Sequence, residues 1–462
     1  MEDRLMVSVS GVRGTIGGTL TPHIACDFGL AFARMLKAGA AGARPTVAVG
    51  RDTRRSGDMM FNAVAAGLTA GGVDVIDLGV VTTPGAALAT SRLKAQGGVV
   101  ITASHNPIVY NGIKFLQPNG AGLAAPAAQE LKKIWEAGQF DLSAVENVGV
   151  QRAETRTHGW HVDAVCEMVD LKTIASRRFK VVVDSINGAG CAVTRLLMEK
   201  LCCKLDQING EPTGQFAHTP EPIRENLDQL CQAVRKHGAD VGFAQDPDAD
   251  RLVVVDENGV FIGEEYTLAL ATAFALSHRK GKVATNLSTS RMIDDIAAAA
   301  GQSVVRTPTG EANVAAAIIK HGCVIGGEGN GGVIDPRVAP VRDSLVGMAL
   351  ILQYMAQTGK KLSELAAMIP HYVMVKTKFP CPAGVAPAVA EALMREFSSR
   401  KDAAFNTDDG LRIDLPEAWV NVRASNTEPI MRIMGESKDQ AVVDALVAQV
   451  RRVADAVIAS AD

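Results

Sequence analysis

GGVVITASHNP at 97–107, ADVGFAQDPDADR at 239–251 and GCVIGGEGNGG at 322–332 decide the fold. Each is a short apolar run, the pattern of a strand covered on both faces, that breaks into a polar turn. Two further strand–turn units precede each of them. VAVGRDTR (47–54) and VDVIDLGVVTTP (73–84) precede the first, VVVDSINGAG (181–190) and CKLDQINGEPTG (203–214) the second, and VATNLSTSR (283–291) and SVVRTPTGEAN (303–313) the third. Stretches such as FNAVAAGLTAGG (61–72) between them read as helices. One layout thus occurs three times, and alternation of strand and helix predicts three related α/β/α domains. In such units ligands gather at the carboxyl ends of strands, which is where all three quoted segments turn unusual.

The tail departs from this plan. HYVMVKTKFPCP (371–382), LRIDLPEAWVNVRAS (411–425) and EPIMRIMGE (428–436) read as strands, and a periodic helix runs from about Gln440 to Ala459. This predicts a smaller fourth domain of α+β type. The expected boundaries are 1–158, 159–260, 261–370 and 371–462. No long Gly/Ser linker separates them, so the domains are expected to pack around a shared cleft.

The chain has 462 residues, 47% of them hydrophobic, enough for several cores. Lys and Arg number 47 against 50 Asp and Glu, a net charge of −3, which leaves no broad field to hold nucleic acid or an anionic membrane. An anionic ligand must be met locally. The eight cysteines show no C-x-x-C pairing, and the chain is too long to need disulfide staples. The N-terminus lacks a basic segment followed by an apolar run, and no stretch nears ~18 uninterrupted apolar residues. A cytoplasmic protein, monomer or homodimer, that binds a small molecule is the expectation.

DPDADR (246–251) sets Asp246, Asp248 and Asp250 at alternate positions, so in an extended segment their carboxylates project to one side. Three like charges so close call for a cation, and hard oxygen ligands in this number suit Mg²⁺. An EF-hand is disfavoured, although Glu257 falls twelve positions along. Position six is Arg251 where that loop needs Gly, and strand-like LVVVD follows instead of a helix. Arg251 is then placed as a fixed cation for a transferring phosphoryl group.

TASHNP (102–107) puts Ser104 just after a buried strand, with Lys114 downstream in NGIK as a cation or proton carrier. A Ser–His hydrolase is disfavoured because no G-x-S-x-G elbow exists and His105, the immediate neighbour, is expected to point away. GGEGNGG contains G-x-G-x-x-G (Gly327, Gly329, Gly332), but no helix is expected after it, so a dinucleotide loop is disfavoured. Its glycines bracket Glu328 and Asn330, which could hydrogen-bond sugar hydroxyls. RASNTEP (423–429) offers Arg423, Ser425, Asn426 and Thr427 in a turn, the donor set of a phosphate cradle.

Taken in order, SGVRG (10–14), GRDTR (50–54), TASHNP, NGIK, DPDADR, GEGNGG and RASNTEP resemble the α-D-phosphohexomutase family across nearly the whole chain. The resemblance implies a heart-shaped protein of three related α/β domains and a different fourth one. It implies that Ser104 is a phosphoserine and that Asp246, Asp248 and Asp250, with an oxygen on Ser104, hold one Mg²⁺. Arg13, Lys114, Arg251 and His105 would line the reaction centre, with Lys114 a candidate general acid or base. Glu328, Asn330 and Gly310 would read the sugar, while Arg423, Ser425, Asn426, Thr427 and Arg432 would hold the phosphate that is not reacting. The implied activity is a phosphohexose mutase acting through a 1,6-bisphosphate, which also serves as primer. Many members carry Ser where Asn330 stands and His where Gly332 stands. GEGNGG instead resembles a branch often assigned to phosphoglucosamine mutases, whose relatives also act on glucose and mannose phosphates. A phosphoserine-based phosphatase or a non-catalytic sugar-phosphate sensor are the rival readings.

Overall fold

The computed structural model describes residues 4–39, 42–382, 384–425 and 429–460. The threefold layout is realised strand for strand. In the first sheet the order runs Met6–Ser8, Gly11–Thr15, Tyr110–Leu116, Gly97–Ile101, Thr46–Arg51, Asp74–Val80, Gln151–Ala153. Its middle four strands have counterparts in the second sheet, Leu252–Val255, Val241–Gln245, Lys180–Asp184 and Lys204–Ile208, and in the third, Gly332–Ile334, Ile325–Glu328, Val283–Asn286 and Val304–Thr307. In every case the first strand of the unit lies between the second and third, parallel to both, and a fourth strand returns antiparallel beside the third. In the second unit this is the strand-like LVVVD that follows DPDADR, whereas in the third GVI follows its polar turn too closely to stand out as a separate element. The return strand is the device that sends the chain back past each turn and makes the turn a tight loop.

The fourth sheet is wholly antiparallel, in the order Val373–Pro380, Ile430–Ser437, Ala418–Ala424, Leu411–Asp414, Ala404–Asn406. The helix Gln440–Ala459 packs across it, beginning at Asp439, whose side chain accepts from the amides of Ala441 and Val442. LRIDLPEAWVNVRAS, read as one strand, is two strands joined by a turn at Leu415–Glu417, where Pro416 supplies no amide for a ladder. The helix Ala386–Phe397 was absent from that reading.

The cores divide unequally. One continuous apolar cluster runs through all three α/β domains, from Ala48 to Ile369, whereas the fourth domain closes its own cluster from Phe379 to Ala454. Polar bonds join the fourth domain to the rest: Arg291 Nη2 donates to Asp414 Oδ1 at 2.8 Å, Thr309 N to Asp409 Oδ2 at 2.9 Å, and Arg412 Nη1 to the Leu287 carbonyl. Among the described residues no helix is long and apolar enough to cross a membrane.

The helices Pro22–Gly39 and Gly57–Ala70 cross so closely that a Cβ on Gly67 would lie 2.1 Å from the Cys26 carbonyl oxygen. Gly67→Ala therefore sets about 1 kcal/mol of gained helix propensity against an obstacle of rigid backbone, for which overpacking costs typically run to about 3 kcal/mol. The clash wins: this variant is expected to lose about 1–2 kcal/mol in urea denaturation, and an unchanged or raised midpoint would contradict the close crossing.

Candidate functional site

Ser104 leaves the strand Gly97–Ile101, every residue of which is buried, and takes a left-handed φ of 49°. A non-glycine residue holds that conformation only where its surroundings over-determine it. Here they do. The Ser104 amide donates to Thr102 Oγ1 (2.9 Å), Thr102 Oγ1 donates to Asp52 Oδ2 (2.7 Å), and Asp52 pairs with Arg54, both side chains fully buried. Arg54 then donates to the carbonyls of Ser104 (2.6 Å), Asn106 (2.7 Å), Pro107 (2.8 Å) and Tyr110 (3.0 Å). One guanidinium thus pins the whole serine loop by its backbone.

The Ser104 hydroxyl donates to Asp246 Oδ2 at 2.8 Å across the boundary between the first and second domains. Its second neighbour is His105 Nδ1 at 3.2 Å. His105 therefore does not point away from the serine. The left-handed turn at Ser104 swings the next side chain back beside its own hydroxyl, a bend that the letters of TASHNP do not announce. Burial, with Arg251 and Arg13 adding to it, pushes the His105 imidazole down to about 2, so it is neutral.

Asp246, Asp248 and Asp250 are fully buried and offer oxygens within 4.8 Å of one another. DPDADR is not extended as its alternation predicts. It is a turn with Ala249 left-handed at φ 54°, and the carboxylates converge because the chain curls around them. Asp246 Oδ1 accepts from the amides of Asp250 and Arg251, both 3.1 Å. Asp248 Oδ2 accepts from Thr83 Oγ1 (2.6 Å) and Lys114 Nζ (2.7 Å), and Asp250 Oδ2 from Arg342 Nη2 (2.7 Å). The other oxygen of each, Asp248 Oδ1 and Asp250 Oδ1, is buried with no partner. Burial and then the charges of Asp250 and Asp248 raise the Asp246 carboxyl well above the usual range. At Asp250 burial works the same way, but Arg342, Lys114 and Arg251 outweigh it and hold the carboxyl low. Orphaned carboxylate oxygens in a buried cluster of three aspartates fit a hard divalent cation.

Lys114 comes from the return strand Tyr110–Leu116. Burial would lower its ammonium, but Asp248 and Asp250 outweigh burial and keep it protonated. Arg13, on the strand Gly11–Thr15, has its guanidinium lowered by burial and lies within the fields of Asp248, Arg251, Arg54 and Asp250. Arg251 keeps a buried Nε without a partner.

In the third domain, Glu328 Oε1 accepts from Asn286 Nδ2 (2.8 Å) and the Gly310 amide (3.1 Å), while Oε2 accepts from Arg342 Nη1 (2.6 Å). Asn330 Oδ1 is buried without a partner. Gly331 abuts the metal-side strand: its carbonyl accepts from Leu252 N at 2.9 Å, and a Cβ there would lie 2.4 Å from the Leu252 carbonyl oxygen. In the fourth domain Arg423 and Arg432 are direct partners across adjacent strands, and the Ser425 amide donates to the Ile430 carbonyl at 2.9 Å. Asn426 and Thr427 lie outside the described residues. Arg54, Thr83, Glu265 and Arg342 were not assigned a role by sequence reasoning, although Arg54 closes the motif GRDTR, since the partners on which each acts lie far along the chain.

The chain matches models of the phosphoglucomutase/phosphomannomutase family over most of its length: alpha/beta/alpha domain I at residues 4–142, domain II at 160–259, domain III at 263–372 and the C-terminal domain at 375–453. It is 42% identical over 432 residues to a phosphoglucomutase/phosphomannomutase of Thermococcus kodakarensis, covering 93% of this chain and 94% of that one. It is 39% identical over 438 residues to a probable phosphoglucosamine mutase of Methanopyrus kandleri, covering 93% of each. A crystal structure of a phosphoglucomutase/phosphomannomutase family protein from Burkholderia thailandensis superposes with a TM-score of 0.85 at 28% identity, covering 98% of each chain.

Glu265 lies beneath the sugar-loop candidate, where a Cβ on Gly329 would fall 2.0 Å from its Oε2, and it accepts from the Ser290 amide at 3.1 Å. Burial pushes its carboxyl up to about 8, against the pull of Lys376 and with the help of Glu264. Between its ordinary value of 4.5 and about 8 the folded chain binds the extra proton. Stability is therefore full below that window and falls as pH rises through it, by on the order of a few kcal/mol. Glu265→Gln is expected to flatten the decline of melting temperature between pH 5 and 8.5, and equal slopes for the two proteins would contradict a protonated Glu265.

Proposed function

The chain belongs to the phosphoglucomutase/phosphomannomutase family, and from that membership we propose that it is a phosphohexose mutase, moving phosphate between O1 and O6 of a hexose through phosphorylated Ser104. The observation that carries this reading is the direct bond of the Ser104 hydroxyl to one member of a buried aspartate triad whose other two members keep open oxygens. Asp246, Asp248 and Asp250, with an oxygen on Ser104, would hold Mg²⁺, which when bound supplies positive charge against the transferring phosphoryl group.

The chain's own residues do the rest. A sugar hydroxyl oxygen attacks the phosphorus of phosphoserine, the new P–O bond forms as the P–Oγ bond breaks, and the hydroxyl proton ends on Ser104 Oγ. Lys114, held charged by Asp248 and Asp250, is the group proposed to pass that proton. Arg251 and Arg13 stand as fixed cations around the centre, and neutral His105 orients the hydroxyl without adding charge. Glu328, Asn330 and Gly310 would meet the sugar. Arg423 and Arg432, with Ser425, Asn426 and Thr427, would hold the second phosphate. The bisphosphate then turns end for end, and its other phosphoryl group returns to Ser104. A catalytic amount of hexose 1,6-bisphosphate would prime the resting enzyme. A separate cradle on the fourth domain would favour mutase over phosphatase, since hydrolysis has no use for a second phosphate site. Closure of that domain across its polar seam would exclude water from the phosphoserine.

Intact-mass measurement of the wild type primed with bisphosphate should give a fraction heavier by one phosphate, and Ser104→Ala should abolish both that fraction and turnover while leaving substrate binding. Phosphate on any other residue would sink the assignment.

The sugar is proposed to be glucosamine phosphate by preference, on the GEGNGG loop, with glucose and mannose phosphates also accepted. Glu328 would contact hydroxyls common to all three, which would leave discrimination to carbon 2. A coupled assay should give the highest kcat/KM on glucosamine phosphate, and Glu328→Ala should damage all three together. A preference above about a hundredfold for glucose or mannose phosphate would overturn the choice of sugar alone.

A further inference from the structure

Arg342 lies in no motif of the active site, yet it is the side chain on which two of its loops meet. It sits between the strand Gly332–Ile334 and the helix Ser344–Thr358 and is 8% exposed. Its Nη1 donates to Glu328 Oε2 at 2.6 Å and its Nη2 to Asp250 Oδ2 at 2.7 Å. The backbone on both sides is anchored. The Arg342 amide donates to Glu311 Oε1 at 2.6 Å, and the next residue, Asp343, caps the helix with Oδ1 and bonds His161 Nε2 with Oδ2 at 2.6 Å. A planar fork so mounted fixes the rotation of both carboxylates it grips.

The grip decides which oxygens are left. With Oδ2 of Asp250 held by Arg342, Oδ1 is the oxygen that stays buried and open. With Oε2 of Glu328 held, and Oε1 taken by Asn286 and Gly310, the carboxylate cannot swing away from the position those three donors define. Gly332 makes the arrangement possible. A Cβ at Gly332 would lie 2.1 Å from Arg342 Cδ and 2.7 Å from Cγ, while its φ lies outside the left-handed region. Glycine is needed there for the arginine stem and not for the backbone.

We propose that Arg342 is a positioning residue that orients Glu328 toward the sugar and Asp250 toward the metal through one guanidinium, in the space that Gly332 leaves open. It touches neither ligand itself and acts through the two carboxylates. The sugar half of this inference rests on the mutase reading; the metal half rests only on Asp250.

Two readouts test it on the full-length chain. Calorimetric titration with Mg²⁺ should give Arg342→Met a Kd about tenfold above wild type, the usual size of a lost orienting partner. In kcat/KM on glucosamine 6-phosphate, Arg342→Met and Glu328→Ala should each cost about thirtyfold or more, and the double variant less than about threefold beyond the worse single one. Arg342→Lys, which can hold one carboxylate at a time, should recover part of each loss. Gly332→Ala keeps the charge and displaces only the stem. It should shift both readouts the same way at a melting temperature near wild type, and it carries the test if Arg342→Met does not fold. A Mg²⁺ Kd within about twofold of wild type together with multiplicative losses in the cycle would overturn the proposal. Absence of isomerisation by the wild type would instead defeat the mutase reading, and the Mg²⁺ titration would still decide the role of Arg342 at Asp250.

Discussion

Three aspartates buried within 4.8 Å of one another are the constraint to which the rest of the site answers. At an effective dielectric of about 20, two unit charges at that distance repel by roughly 3 kcal/mol, and three ionised carboxylates make three such pairs. That sum rivals the ~5–15 kcal/mol by which a domain is stable. The chain meets it with cations of its own. Lys114 reaches in from the first domain and Arg342 from the third, each onto a carboxylate of the second. Neither covers the inward oxygens of Asp248 and Asp250. The residual negative charge is thus focused on a space next to Ser104, and the pressure to bring in a further cation is built into the fold.

The same constraint explains why the domains cannot be understood singly. The aspartate loop belongs to the second domain, but Thr83 and Lys114 of the first and Arg342 of the third complete it. One apolar core through all three α/β domains supplies the rigidity that such bonds need, since a shift of an ångström would break them. The serine loop is held with equal economy of parts. Arg54 collects the carbonyls of Ser104, Asn106, Pro107 and Tyr110 on one guanidinium, and in doing so supports the left-handed turn at Ser104.

What the sequence made legible was periodic or clustered. The threefold strand plan, the final helix Gln440–Ala459 and the three loops at the strand ends all leave a local trace, because burial patterns and turn residues are local signals. The failures at the site share one cause. Ala249 adopts a left-handed conformation that nothing in DPDADR requires, the side chain of His105 turns back because Ser104 is left-handed, and Arg54 and Arg342 work on partners fixed only by the tertiary fold. Each is a decision made by contacts far apart in the chain and by no pattern of neighbours.

The polar seam around the fourth domain is where rigidity gives way. An apolar interface there would have merged its core with the others. Instead hydrogen bonds and ion pairs cross it, Arg291–Asp414 and Thr309–Asp409 among them, the kind of interface across which domains can move. Those bonds are not placed at random. Asp409 of the fourth domain holds the Thr309 amide, the adjacent Gly310 amide holds Glu328, Glu328 holds Arg342, and Arg342 holds Asp250. Every member is a directional bond of 3.1 Å or less, and none has slack to absorb a displacement at its neighbour. A fourth domain that shifts on binding a phosphate must therefore either break the bond at Thr309 or carry the sugar loop with it, and carrying the sugar loop moves the guanidinium that sets the metal loop.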